Sequence, residues 1–571
     1  MASVALSPAA RTQALENMAR EELDVLVIGG GVVGSGAALD AVTRGLRVGL
    51  IEAQDFAAGT SSRSSKLIHG GLRYLGMLDF RLVAEALRER GLLIQKLAPH
   101  LIRPVPFIYP LKHRVWERFY ADSGVALYDT LGMLTGQSRG VPRHRHLTRR
   151  GARAIAPSLR EDALVGALQY YDAQVDDARH TLFVARTAAA YGAHVANRAR
   201  VVGFLKEAGR VIGTEVSDME TGERIRIRAK RVVNATGVWT EETLGLSGER
   251  GGRRVRASKG IHLVVPRDRI RSDSGLILRT EKSVLFVIPW GRQWIIGTTD
   301  TDWELGKDHP VASKADIDYL LDRVNAVLED PLTHEDIQSV YAGLRPLLAS
   351  GPGPTAKLSR EHAVESPVPG LVVITGGKYT TYRVMAKDAI DAAVTGLGRK
   401  VPPSCTKDVP LLGAEGWRAL QNSVPSLAEQ SGLSPTRVES LLGRYGSLVH
   451  EILDLIRQDR SLGEPLTSAP AHLRAEIVYA ASHEGARHLD DVLTRRTRIG
   501  IETSDRGLDV AEEAASLIGP LLGWSAEQRA SEVEAYRGRI AAERESQTMP
   551  DDVTAHAVQL GALPRAVQSS N

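Results

Sequence analysis

The chain has 571 residues and a mass of 61.8 kDa, too long for one ordinary core, so two or three domains are expected. With 43% hydrophobic and 25% charged residues it is no low-complexity chain, and a net charge of +4 is too small an excess to be a nucleic-acid footprint. Its single cysteine, Cys405, excludes an intrachain disulfide, and no uncharged apolar run reaches the roughly 18 residues of a spanning helix. Residues 1–20 lack the apolar segment of a secretory signal, so any membrane contact is expected to be peripheral.

The first patterned segment is DVLVIGGGVVGSGAALDAVTRGLRVGLIEAQ, Asp24 to Gln54. Val25 to Ile28 reads as a buried strand, Ser35 to Arg44 as a helix and Arg47 to Ile51 as a second strand closed by Glu52. Between the first strand and the helix stands Gly29-x-Gly31-x-x-Gly34, which completes the βαβ dinucleotide fingerprint. Gly29 lets the chain turn, Gly31 lets a pyrophosphate approach the backbone, and Gly34 lets helix and strand pack closely. The helix N-terminus then favours phosphate charge. Glu52 is placed to accept from ribose hydroxyls. No arginine follows it at once, which argues against NADP, while the unit alone leaves NAD and FAD open.

Next comes TSSRSSKLIHGGLRYL, Thr60 to Leu75, dense in hydroxyls, cations and a Gly-Gly pair. Taken alone it suits either a long cofactor at close range or a solvated turn. RVVNATG (231–237) is a strand whose end brings backbone to a dinucleotide. FVIPWGRQWIIGTTD (286–300) is two strands about a turn at Gly291. YAGLRP (341–346) follows, and then VVITGGKYTTYR (372–383), a strand, a Gly-Gly turn and a helix start suited to developing negative charge.

Past Pro402 helical runs broken by Gly and Ser-Pro signals predict a helical domain. Arg495, Arg496 and Arg498 form a cationic cluster there, readable as a face for anionic lipid or as helix-end charges in ion pairs. The tail after about residue 547 is expected to be disordered.

Taken in order, IGGGVVGSGAALDA, SSRSSKLIHGGLRYL, VVNATGVW, FVIPWGRQWIIGTTD, YAGLRPL and GGKYTTYR resemble the FAD-dependent glycerol-3-phosphate dehydrogenases. Val238 stands where that family often has proline, and Tyr379 where it often has leucine. The resemblance implies an α/β plus α fold: a discontinuous Rossmann-like FAD-binding domain (23–100, 165–260 and 340–400) interleaved with an antiparallel-sheet substrate domain (101–164 and 261–339). It also implies an N-terminal extension (1–22), a C-terminal helical domain (401–547) and the tail (548–571).

For FAD the resemblance names Gly29, Gly31, Gly34, Glu52, Thr60, Ser61, Ser62, Ser65, Lys66, Leu67, Val202, Ala235, Gly237, Gly377 and Lys378. For sn-glycerol 3-phosphate it names Arg73, Tyr74, His262, Arg345, Arg360 and Lys378, guanidinium groups being the natural clamp for a phosphate. The implied reaction moves a hydride from substrate C2 to flavin N5 and yields dihydroxyacetone phosphate. His69 and His262 are the candidate bases, and Arg345 and Lys378 the groups that hold the developing oxyanion. The implied acceptor is a membrane quinone, with the protein in the cytoplasm, peripheral on the inner face of the plasma membrane, in contact with anionic lipid and as a homodimer. No metal and no nucleic acid is expected. The rival readings are a glycerol-3-phosphate oxidase using O2, an amine or amino-acid oxidase of the glycine-oxidase type, and a non-catalytic FAD-holding protein.

Overall fold

A computed structural model describes residues 4–70, 80–113, 141–248, 254–281, 284–349 and 361–561. In chain order the strands are β1 (Leu23–Ile28), β2 (Val48–Ile51), β3 (Leu67–Ile68), β4 (Ile102–Leu111), β5 (Arg145–Thr148), β6 (Gly166–Val175), β7 (His194–Ala196), β8 (Ala199–Glu207) and β9 (Arg210–Asp218). They continue as β10 (Arg224–Asn234), β11 (Val255–Pro266), β12 (Gly275–Arg279), β13 (Val284–Trp290), β14 (Gln293–Gly297), β15 (Thr301–Trp303), β16 (Ser339–Leu348), β17 (His362–Val368) and β18 (Leu371–Gly376).

Among the described residues these strands make two sheets. The first runs β17-β18-β10-β1-β2-β7, parallel from β18 to β7, with the β8–β9 hairpin on β10. Every residue of β1 is buried because both faces are covered. Val25 and Val27 pack in the core that includes α2 (Val32–Thr43), while Leu26 and Ile28 meet Leu15 and Met18 of α1 (Pro8–Arg20). The N-terminal extension is thus a helix capped by Ser7 that seals the lower face of the sheet. Small residues bring α2 close: a Cβ at Gly34 would lie 1.9 Å from Gly29 O.

The second sheet runs β15-β11-β14-β13-β12-β4-β6-β3, with β16 on β11 and β5 on β6. It is antiparallel apart from the β4–β12 pair. The chain crosses between the sheets more often than the expected boundaries allow. β6 and β16 fall in segments assigned to the FAD-binding domain, yet both are strands of the second sheet. The sequence carries no mark of this, since a strand's local pattern does not name its partner.

The C-terminal region is helical, and its arginine cluster corrects the lipid reading. Arg495, Arg496 and Arg498 are only 5%, 2% and 4% exposed. Arg496 clamps Asp55 with two bonds of 2.7 Å, and Arg495 Nε donates to the same carboxylate at 2.6 Å. Arg498 donates to Asp176 at 2.7 Å and to Ser62 O at 3.1 Å, and is paired with Asp177. The cluster therefore bolts the helical domain to the loop between β2 and β3. The tail differs from expectation too: residues from Asp552 to Gly561 form a helix that packs on the helix Ala526–Ser546 and pairs through Asp552 with Lys259 of the second sheet.

Asp55 holds two buried guanidinium groups, and breaking such a pair typically costs about 3–5 kcal/mol. Asp55→Asn should lower the unfolding free energy, read by urea denaturation, by an amount in that range. An unchanged unfolding free energy would show that the clamp adds no stability.

Candidate active site

The turn after β1 opens a cleft. Gly29 sits at φ +107°, where a Cβ would lie 2.7 Å from Ala235 O, so β1 and the end of β10 touch backbone to backbone. Gly31 caps α2, and a side chain there would meet Ser61 Oγ at 3.2 Å. Ser61 Oγ accepts from Val32 N at 3.0 Å, tying the serine-rich loop to the helix N-terminus. Glu52 accepts from Gly30 N at 2.6 Å and from Gln54 N at 2.8 Å. Burial pushes its carboxyl above the usual range, opposed by those two amides. The acid predicted for ribose therefore also braces the glycine turn.

These elements enclose a cavity of about 1010 Å³. On its wall lie Gly29, Gly31, Glu52, Thr60, Ser61, Val202, Ala235, Gly237, Gly377 and Lys378 from the sequence reading. Gly34, Ser62, Ser65, Lys66 and Leu67 do not line it. Gly34 serves helix packing, and the Lys66 ammonium turns away to Asp177 at 2.9 Å and Ser62 O at 3.2 Å. Arg73, Tyr74 and Arg360 lie outside the described residues.

His69, His262 and Arg345 do not line this cavity; His262 and Arg345 stand on one face of the β11–β16 pair, which meets the serine-rich loop at Ser64 and Ser65. The antiparallel register sets Ser258 opposite Arg345, Gly260 opposite Gly343, and His262 opposite Tyr341. Side chains two apart share a face, so Ser-x-Gly-x-His meets Tyr-x-Gly-x-Arg in reverse. The glycines make room. A Cβ at Gly260 would stand 2.4 Å from Arg345 Nη2, and one at Gly297 of β14 would stand 2.3 Å from the His262 ring. A Cβ at Gly343 would stand 2.5 Å from Arg63 O in the loop. Gly260, Gly297 and Gly343 escaped the sequence reading; Gly260 and Gly343 stand two positions from His262 and Arg345, a spacing visible in the sequence, whereas Gly297 meets His262 only through the β11–β14 pairing.

The His262 ring stacks on Tyr341 at 4.7 Å, and its Nε2 is 2.9 Å from Ser65 Oγ. Nδ1 is buried with no hydrogen-bond partner among the described residues. Burial, then the charges of Arg345 and Lys66, hold the imidazole well below its ordinary pKa, so it is neutral near pH 7. Arg345 is steadied by Thr298 Oγ1 at 3.0 Å, Thr299 O at 3.1 Å and Ser258 Oγ at 3.4 Å. His69 sits where the loop meets the Gly-Gly-Lys turn: Thr380 Oγ1 lies 3.2 Å from both its N and its O. Its ring centroid is 6.4 Å from that of Phe286. Tyr379, the departure from the family pattern, donates to Asp177 O at 2.7 Å and so ties that turn to the helix Asp177–Ala190.

Residues 24–389 match the family described as FAD dependent oxidoreductase, and residues 404–529 match the C-terminal domain of alpha-glycerophosphate oxidase. Glycerol-3-phosphate dehydrogenase 2 of Mycobacterium tuberculosis is 57% identical over 560 residues, which cover 98% of this chain and 95% of the relative. The chain belongs to the FAD-dependent glycerol-3-phosphate dehydrogenase family. A mitochondrial glycerol-3-phosphate dehydrogenase of Bos taurus is 36% identical over 552 residues, 93% of this chain and 75% of its own length. Among solved structures, the glycerol-3-phosphate dehydrogenase from Bacillus halodurans complexed with FAD superposes with a TM-score of 0.77 at 28% identity. That match covers 93% of this chain and 97% of the other.

FAD is the cofactor of this family, and the cleft fits it. Ligand pockets span roughly 300–1,000 Å³, and this one, at about 1010 Å³, is large enough for a long dinucleotide. Its wall runs from Glu52 and Val202, past the α2 N-terminus, to Gly377 and Lys378. Gly29 has both a left-handed φ and a blocked Cβ, so Gly29→Ala should purify with little flavin. A flavin absorbance equal to wild type, per mole of protein, would refute this account of the turn.

Proposed function

We propose that the protein oxidises sn-glycerol 3-phosphate to dihydroxyacetone phosphate and passes the electrons to a membrane quinone. The observation that carries the reading is the shared face of β11 and β16, which holds a neutral imidazole and a guanidinium side by side. Bound FAD supplies a two-electron acceptor for the hydrogen at C2. The chain's own residues do the rest. The neutral His262 takes the C2 hydroxyl proton. Arg345, braced by Thr298 and Thr299, stabilises the oxyanion that develops as the proton leaves. Lys378, on the cavity wall at the start of the Tyr379–Thr381 turn, adds a second positive charge. His69, fixed between the loop and that turn, borders the same region, and Arg73, Tyr74 and Arg360 complete the proposed phosphate clamp.

Two points support the substrate: the name carried by relatives up to 57% identical, and the conjunction of a base with a cation that an alcohol oxidation needs. The relatives are named dehydrogenases, which favours an acceptor other than oxygen. The match of residues 404–529 to a domain of alpha-glycerophosphate oxidase favours oxygen as a second reading. No helix of the described residues is long and apolar enough to cross a membrane.

Mixed without oxygen, glycerol 3-phosphate should bleach the flavin and glycine should not, and a quinone analogue should restore the colour faster than air does. Bleaching by glycine alone would overturn the substrate, and faster recovery in air the acceptor. Gly297→Ala pushes a methyl group into the His262 ring. A misplacement of that kind costs on the order of 10²-fold in rate, so turnover should fall by about that factor with flavin content kept. His69→Gln should likewise lower turnover far more than flavin content, and equal loss of both would remove His69 from the chemistry.

A further inference from the structure

The match to the C-terminal family domain ends at residue 529, yet the chain continues through the helices Ala526–Ser546 and Asp552–Gly561. The second of these packs against the end of the first, where Ser546 Oγ donates to Ala555 O at 2.9 Å, and also meets the second sheet where β15 ends. Ala555, His556 and Gln559 form its buried face. Three contacts fix it. Lys314 N donates to Met549 O at 2.8 Å. The buried Lys259, on the face of β11 opposite His262, is paired with both Asp316 and Asp552. His556 Nε2 accepts from Gly306 N at 3.2 Å, and its ring stands edge-on to Trp303 at 5.7 Å.

Gly306 belongs to a short loop, Glu304 to Asp308, that lines the FAD cavity from the side of the second sheet. Both backbone groups of Gly306 are gripped: Trp303 Nε1 donates to its O at 3.0 Å, and His556 takes its N–H. The far side of the loop then reaches across the cleft. Lys307 Nζ donates to Val238 O at 2.8 Å and pairs with Glu242, and Asp308 accepts from Gln54 Nε2 at 3.3 Å. Val238 follows β10 and Gln54 follows β2, so the loop bridges two walls of the cavity.

We propose that the helix Asp552–Gly561 holds the 304–308 loop as the outer wall of the FAD cleft, with His556 a positioning residue for cofactor retention. The grip depends on an unprotonated ring nitrogen accepting from a backbone amide. Burial holds His556 below its ordinary range and so keeps it in that form. The alternative role for His556 is packing alone, filling space beside Trp303. The two differ in what a same-sized side chain does: Gln can still accept from Gly306 N through Oε1, whereas Leu fills the space and cannot accept.

The test follows FAD release. Purified holoenzyme is diluted well below its melting temperature, and the rise of free-flavin fluorescence is timed. His556→Leu should release FAD at least tenfold faster than wild type, and His556→Gln within about threefold, with melting temperatures of the two variants alike. Lys307→Met breaks the loop's far anchor without touching the helix and should also speed release. The double variant should release no faster than about the faster single variant, because both act through one loop. Equal release rates for His556→Leu and His556→Gln, or fully multiplicative effects in the double variant, would overturn the proposal. Should His556→Leu fail to fold, the comparison of Lys307→Met with wild type still decides: an unchanged release rate refutes the loop as a wall of the site.

Discussion

The register between β11 and β16 is the constraint on which this protein depends. A strand's side chains alternate, so a slip of one residue would turn every functional group to the opposite face. In the observed register His262 meets Tyr341 and Ser258 meets Arg345, with the Gly260–Gly343 pair between them. The opposite face of β11 carries Ile261 and Leu263 in a hydrophobic core and Lys259 in a buried ion pair. Slipping the strand would bury Arg345 among apolar side chains, so the packing that stabilises the sheet also specifies the site.

Between that face and the cavity lies the serine-rich loop, whose Thr60, Ser61 and Ser64 line the cavity while Ser65 meets His262, and it is held from three sides. Thr60 Oγ1 donates to Leu344 O at 2.6 Å and Tyr341 OH to Ser64 O at 3.0 Å, which seats the loop on β16. Asp177 accepts from Ser64 N at 2.9 Å and from the Lys66 ammonium, which fixes the loop on the helix behind the first sheet. Arg495 and Arg496 on Asp55, and Arg498 on Ser62 O, fasten it to the C-terminal domain. Burial alone would raise the Asp176 carboxyl, yet the charge of Arg498 holds it at about 2. These are desolvated pairs, and their role here is to set geometry more than to add net stability. The helical domain thereby holds the serine-rich loop without lining the cavity.

The dinucleotide turn was legible in the sequence because its demands are local. A left-handed φ at Gly29 and close helix packing at Gly34 leave a mark on consecutive residues. The fold class was legible for the same reason, through strands and helices with clear periods. Less legible was whatever depends on which strand lies beside which. β6 and β16 carry no sign that they join the second sheet, and the three arginines at 495, 496 and 498 carry none that Asp55 and Asp177, more than 300 positions away, will neutralise them. Gly260, Gly297 and Gly343 lie between these cases: each looks like an ordinary strand glycine until the pairing shows what a methyl group would strike.

The central claim is that burial and Arg345 keep His262 neutral so that it can accept a proton. The most direct measurement is the pH dependence of flavin reduction by glycerol 3-phosphate in a single anaerobic turnover, for wild type and for Arg345→Met. A base with a depressed pKa works above that pKa and fails only as pH falls through it. The wild-type acid limb should therefore lie below the ordinary histidine value of about 6.5, and removal of the neighbouring positive charge should move it upward. An acid limb at or above that value in the wild type, or one that stays in place when Arg345 is replaced, would contradict the account.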